Sequence, residues 1–244
     1  MQINLKKDKI KTITLGDENY PEKLKYIYSK PQKLYVLGDE KLLNEKSIAI
    51  IGCREATEYG LKNAYKFGYE LAKKGICVIS GFARGIDTYS HKGAVAVKGK
   101  TIAVLGCGLD IVYPPENVEL YKQIIVNGGA IITEYPLGSK PDKLHFPARN
   151  RIISGLSDGV LVVEAKKRSG TMITVEHALD QGKNVYAIPG NITSDNSYGT
   201  NELIKEGAIP VTSVEDFEIW YRNNLKIMIY PYCLDRLFMI YYYK

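Results

Sequence analysis

The sequence predicts an α/β fold: an open, doubly wound, mostly parallel sheet of about seven strands with helices on both faces. Three observations carry this. Seven short runs rich in apolar and β-branched residues recur after Ser47: SIAIIGC, ICVISG, TIAVLGC, AIITEY, GVLVVEA, NVYAIPG and AIPVTS. An unbroken apolar run marks a parallel strand covered on both faces. Most of the intervals between them have helical periodicity, the signature of repeated βαβ units with right-handed crossovers. Glycine and small residues cluster just after the strands, where such sheets bind ligands.

Taken in order, residues 1–46 are a lysine-rich lead-in with a YPEKL turn and the short apolar LYVLG. They hold too few apolar residues for a core of their own, so the lead-in is expected to pack on the main domain. That domain is expected to span residues 47–224. Between its first two runs, Leu61, Ala64, Tyr65, Gly68, Leu71 and Ala72 fall on one helical face, and Gly75 is a stop signal. Val214 to Asn224 reads as a last helix carrying Trp220. An aromatic-rich tail, 225–244, follows, and an exposed tail of that kind calls for core packing or a dimer contact.

The 244 residues, 45% hydrophobic and 25% charged, suffice for one sizeable core. A net charge of +6 favours polyanionic partners without requiring them. The four cysteines have no CxxC spacing, which fits a reducing compartment. The N-terminus lacks an apolar leader, and no run reaches the roughly 18 apolar residues of a membrane span. A cytoplasmic protein is expected.

The loops after the first three runs are Gly52-Cys53-Arg54, Ser80-Gly81-Phe82-Ala83-Arg84-Gly85 and Gly106-Cys107-Gly108. Glycine lets the backbone approach a ligand closely, so three such loops on one sheet edge read as a phosphate track. A fourth element is the stretch from Phe146 to Leu179. A basic turn, Arg149-Asn150-Arg151, precedes its strand, and Ser169-Gly170-Thr171 opens a helix beyond it. Free backbone N–H groups there, with Lys166, Lys167 and Arg168 nearby, make an anion site; an ordinary βα turn with solvated lysines is the competing reading. GCGLDI has Ile111 where a dinucleotide loop needs its third glycine, and there is no P-loop lysine. No nucleotide cofactor is expected.

Nothing assembles a catalytic set. There is no GxSxG elbow, and His91, His145 and His177 have no metal-binding spacing; the first and last are placed in helices and His145 in a loop. No metal and no enzymatic activity are expected. In KLHFPARNR, by contrast, Lys143, Arg149 and Arg151 can pair with phosphates while Phe146 stacks on an unpaired base, unless that ring belongs to the core. Single-stranded nucleic acid is the implied partner.

The blocks GCREATEYG, SGFARGIDTYSH, TIAVLGCGLDIVYPPEN, ITEYPLG, FPARNRIISGLSDGVLVVEA, SGTMITVEHAL, VYAIPGNI and GTNELIKEGA follow one another as in the DprA (Smf) family of DNA-processing proteins of natural transformation. The chain resembles that family from about Tyr20 to Asp216. The resemblance implies a Rossmann-like domain, usually dimeric, that binds single-stranded DNA, shields it from nucleases and loads the RecA recombinase. It implies that Arg54, Lys143, Phe146, Arg149, Asn150 and Arg151 line the DNA pocket. Ser80, Gly81, Gly85, Ser169, Gly170 and Thr171 would supply backbone and hydroxyl contacts to phosphate. Many members carry a helical domain before the sheet, for which 46 residues are too few, and some a winged helix after it, which the stretch from Lys226 does not resemble. A more distant resemblance, to the lysine-decarboxylase-like phosphoribohydrolases, leaves a nucleotide sensor or such an enzyme as the alternative. Here that family's GGxGTxxE glycine pair is missing, and Glu176 stands five residues after Thr171 instead of three.

Overall fold

A computed structural model describes residues 1–5, 9–167 and 169–217. The predicted runs become strands, and all but the last, whose strand Ile209–Pro210 is partly exposed, bury nearly every side chain. In chain order the elements are β1 (Ile10–Thr14), β2 (Lys33–Gly38), β3 (Ser47–Ile51), α1 (Glu58–Lys73), β4 (Cys77–Ser80), α2 (Ile86–Ala96), β5 (Thr101–Val104) and α3 (Val118–Val126). They continue with β6 (Ala130–Thr133), α4 (His145–Leu156), β7 (Gly159–Val162), α5 (Gly170–Asp180), β8 (Asn184–Ala187), α6 (Tyr198–Lys205) and β9 (Ile209–Pro210).

The sheet has nine strands, ordered β1-β2-β6-β5-β4-β3-β7-β8-β9, instead of about seven. The expected runs form the parallel part, β3 to β9. The two extra strands come from the lead-in, whose β2 pairs antiparallel with β6 and whose β1 pairs antiparallel with β2. Short strands with alternating burial do not advertise themselves as apolar runs: in β1 only Ile13 is buried. An ion pair of Lys23 with Asp158, at 2.7 Å, also ties the lead-in to the turn before β7.

Alternate strand residues feed two cores. On one face Ala49, Ile51, Ile79, Ile102, Val104, Val160 and Val162 pack with Ile152, Ile153 and Leu156 of α4 and with Val175 and Ala178 of α5, and the lead-in adds Leu24, Leu42 and Leu43. On the other, Ala103 and Ile131 pack with Leu120, Tyr121 and Ile124 of α3 and with Phe82. Helices α1 and α2 meet at very close range through Gly68 and Gly93. A Cβ on either would fall inside the van der Waals shell of the other helix's backbone, at Ser90 or Tyr65.

From β3 the chain winds outward through β4, β5 and β6. It then returns through α4 to lay β7 on the opposite side of β3. The strand order therefore switches between β3 and β7, and a crevice opens at their carboxyl ends. None of the helices among the described residues is long and apolar enough to cross a membrane. Beyond Pro210 the chain is set apart as a second unit. In its described part, 211–217, Asp216 accepts hydrogen bonds from the amides of Thr212 (2.7 Å) and Ser213 (2.9 Å). Trp220 and the tail expectation lie outside the described residues.

Candidate nucleic-acid interface

The crevice at the switch point is a cavity of about 590 Å³. Its walls come from the loop after β3, from α4, and from the loop that leads β7 into α5. The β3 loop is held from several sides. Cys53 donates its amide to Glu164 O at 3.0 Å and accepts from Ile86 N at 3.2 Å. Gly85, at φ +71°, lies so close that a Cβ there would strike the carbonyls of Cys53 and Arg54. The buried Glu164 carboxylate accepts from Thr57 N (2.9 Å), the Thr57 hydroxyl and Asn196 Nδ2 (3.2 Å), fixing the entry to α1. A buried carboxylate is tolerated only with partners of this kind.

From this clamped loop the exposed Arg54 extends its guanidinium over the Phe146 ring, 5.4 Å from the centroid. Arg149 reaches the same ring at 6.0 Å. Its side chain is only 4% exposed and spans the ends of two strands, donating from Nη1 to Gly81 O at 2.6 Å and to Val104 O. Burial brings its pKa down to about 10, so it stays charged at neutral pH. Across Gly81 stands Asp87, 7% exposed, its Oδ2 accepting from Ala83 N at 3.3 Å. Burial lifts Asp87 to about 6 against the opposing pull of Arg149. Lys143 is exposed on the turn before α4, and Lys166 is held loosely by Glu55 at 3.4 Å. Ser169, Gly170 and Thr171 line the same cavity at the start of α5; among the described residues Ser169 Oγ is buried without a hydrogen-bond partner, and none stands within 4 Å of a Cβ at Gly170.

The structure thus gathers Arg54, Lys143, Phe146, Arg149, Asn150, Ser169, Gly170 and Thr171 around one cavity. Four expected residues do not line it. Ser80 is buried and its hydroxyl donates to Ile50 O at 2.6 Å; Gly81 is covered by Arg149 and Asp87; Gly85 is packed against the β3 loop. All three shape the floor from beneath. Arg151 points elsewhere, because residues 149–151 form helix and not a turn: two positions along an α-helix are about 200° apart. Arg151 pairs with Glu134 at 2.7 Å, donates to Ser29 O at 2.7 Å, and lines a second cavity of about 920 Å³ with Tyr28 and Tyr135. His145 is likewise in α4 and not in a loop, stacked on Tyr135 at 3.9 Å. Reasoning from sequence passed over Tyr113, whose ring lies 5.6 Å from that of Phe146. Its signal was its place in the loop after β5, on the same sheet edge. Among the described residues no cluster of His, Cys, Asp or Glu is placed to hold a metal ion.

Residues 11–221 match the family model described as DNA recombination-mediator protein A. The chain belongs to this family. The family resemblance read from the motif blocks therefore holds. The DNA processing protein DprA of Bacillus subtilis is 41% identical over 219 residues, covering 89% of this chain and 73% of that protein. DprA of Streptococcus pneumoniae is 44% identical, with 85% and 73% covered. The X-ray structure of the pneumococcal protein superimposes with a TM-score of 0.80 at 43% identity, covering 85% of this chain and 73% of that one. The Helicobacter pylori DNA processing protein A, whose structure addresses a single-stranded DNA binding mode, gives 0.79 at 33% identity, with 88% and 96% covered. These family structures share the mostly parallel α/β sheet, which is Rossmann-like.

Proposed function

We propose that this member of the family binds single-stranded DNA with little sequence preference, in the crevice between β3 and β7. The observation that carries the reading is the convergence of Arg54, Lys143 and Arg149 with the Phe146 ring on one cavity at the strand-order switch. Cations with no fixed base-edge readers neutralise phosphates irrespective of sequence. Aromatic rings in the same cleft favour bases that are unpaired. The Helicobacter pylori relative adds weight to a single strand over a duplex. On this reading the protein is a carrier and not a catalyst: it shields incoming DNA in the cytoplasm, acts as a homodimer and passes the strand to the RecA recombinase.

The test is a titration of labelled oligo-dT, of the same sequence as duplex, and of mononucleotides at two salt concentrations. We expect the unpaired oligomer to bind most tightly, with an affinity that drops steeply as salt rises. Charge removal at Arg54 or Lys143 weakens binding to every sequence alike. Tight mononucleotide binding with indifference to the oligomer would instead make the cavity a nucleotide sensor. For the hand-off, RecA filament growth on coated DNA should be faster with the protein than without it.

A further inference from the structure

Helices α1 and α2 pack side by side on the face of the sheet opposite α4 and α5: Val95 of α2 joins the core that α3 covers, whereas α4 and α5 close the other. Their outer surface is strongly basic. Residues 58–100 hold eight lysines and arginines against three carboxylates, one of them the buried Asp87, and so carry most of the chain's net charge of +6. On α1 the outward stripe is Lys62, Tyr65, Lys66, Tyr69 and Lys73, at the three- and four-residue spacing of one helical face.

A lysine on a helix gains from a carboxylate one turn away. On this surface Lys62 has one, pairing with Glu58 at 2.7 Å; among the described residues Lys66, Lys73, Lys92 and Lys98 meet none. Two of these lysines lie against tyrosines instead. Lys73 Nζ stands 5.9 Å from the centre of the Tyr69 ring and Lys92 Nζ 4.8 Å from that of Tyr89, while Tyr65 stacks on Tyr69 at 6.3 Å. Gly93 seats against the backbone of Tyr65 and Tyr69, which sets Tyr89 and Lys92 alongside the α1 stripe; Gly99 packs on Ala72, which brings Lys98 to its far end. Ammonium groups steadied by rings lose less freedom when an anion binds them.

Such an array suits a polyanion with closely and evenly spaced charges. A duplex offers one phosphate for about every 1.7 Å of its axis. Lysine ammonium groups and tyrosine hydroxyls are ordinary partners for those phosphates. An unpaired strand gains less, since lysines already stand over the Tyr69 and Tyr89 rings on which its bases would stack. A lipid surface gains less too, because tyrosines are the only exposed large apolar residues on the described faces of α1 and α2.

We propose that the outer face of α1 and α2 is a second DNA surface, which grips the phosphate backbone of a duplex irrespective of sequence while the crevice stays open to another ligand. The proposal does not depend on the single-strand reading of the crevice. The test follows a labelled blunt duplex by fluorescence anisotropy over a salt series. It compares the unaltered chain, a triple variant with Lys66→Ala, Lys73→Ala and Lys92→Ala, the same three positions changed to arginine, and a crevice variant with Arg54→Ala and Lys143→Ala.

Each lysine that meets a phosphate adds about 0.9 to the slope of log affinity against log salt. The triple alanine variant should therefore lose about 2.7 of that slope and weaken about tenfold or more at roughly 0.1 M salt. Its melting temperature and its affinity for oligo-dT should not change. The arginine variant should restore duplex binding, and the crevice variant should keep it. Duplex binding that survives in the triple variant and is lost in the crevice variant would overturn the proposal, as would equal losses for duplex and oligo-dT. A lowered melting temperature that arginine does not recover would make the lysines structural and also overturn it. So would tighter binding to phosphatidylglycerol vesicles that the duplex fails to displace. No duplex binding by the unaltered chain would sink this surface and leave the crevice reading standing.

Discussion

Asp87 and His91 share the first turns of α2, and burial moves both away from their ordinary pKa values, with opposite consequences for stability. Asp87 rises to about 6, so the folded protein holds its proton more tightly than the unfolded chain does. Stability is therefore lost as pH climbs from about 4 to about 6. His91, fully buried, with Nδ1 at 2.7 Å from Thr101 Oγ1, falls to about 3. The unfolded chain takes up that proton first, so this residue makes stability fall as pH drops below about 6.5. The two slopes oppose one another between pH 4 and 6. Asp87→Asn should remove the first and leave the second: urea midpoints should then rise more steeply with pH in that window than in the unaltered protein. An identical pH profile would show that Asp87 is not held protonated. Of the cleft residues, Arg54 and Lys143 were legible because an exposed cation in a loop at the sheet's carboxyl edge has few other uses, and Phe146 because it stands three residues from Lys143 in KLHF. The burial of Arg149 was not, since arginine is ordinarily a surface residue, and the carbonyls of Gly81 and Val104 with the neighbouring Asp87 make its inward position tolerable.

Among the elements, the parallel strands were readable because their runs have no polar face to interrupt them. Helix α4 was harder. His-Phe-Pro-Ala-Arg-Asn-Arg looks like a turn, but Pro147 falls in the first helical turn, where a missing N–H removes no intrahelical bond. The helix continues because Ile152, Ile153 and Leu156 bury a common stripe against the sheet. The closeness of α1 and α2 has a cost that can be measured. In an exposed helix, glycine to alanine gains about 1 kcal/mol. At Gly93 the added methyl would collide with backbone at Tyr65 and Tyr69. Gly93→Ala should therefore destabilise the protein by about 1–3 kcal/mol, read from the denaturant midpoint at unchanged m-value. A gain in stability would mean that the two helices separate easily.

At the scale of the whole molecule, the lead-in is the part whose role the sequence least disclosed. Its strands add to the sheet edge that β6 would otherwise present, and Leu24, Leu34, Val36, Leu42 and Leu43 are buried in the larger core. Without the lead-in, an uncovered strand edge would stand beside the apolar core that those residues cover, which invites association. Deleting residues 1–46 should give a chain that expresses largely as aggregate, checked by soluble yield and size-exclusion profile. A soluble monomer with an unchanged melting temperature would show the lead-in to be dispensable. The α/β class and winding were legible because crossover connections leave few alternatives once seven apolar runs are placed. Of the two antiparallel strands, β1 was not, since only Ile13 of it is buried; β2 showed as the apolar LYVLG but was not assigned to the sheet.

Helix α4 acts as a partition, with Arg149 turned to one compartment and Arg151 to the other. Which compartment each charge serves is a matter of angular phase alone. One residue inserted after Pro147 would turn everything beyond it by about 100° per position. The guanidinium now under the β4 and β5 carbonyls would swing off its seat, although every nearby residue would keep its chemistry.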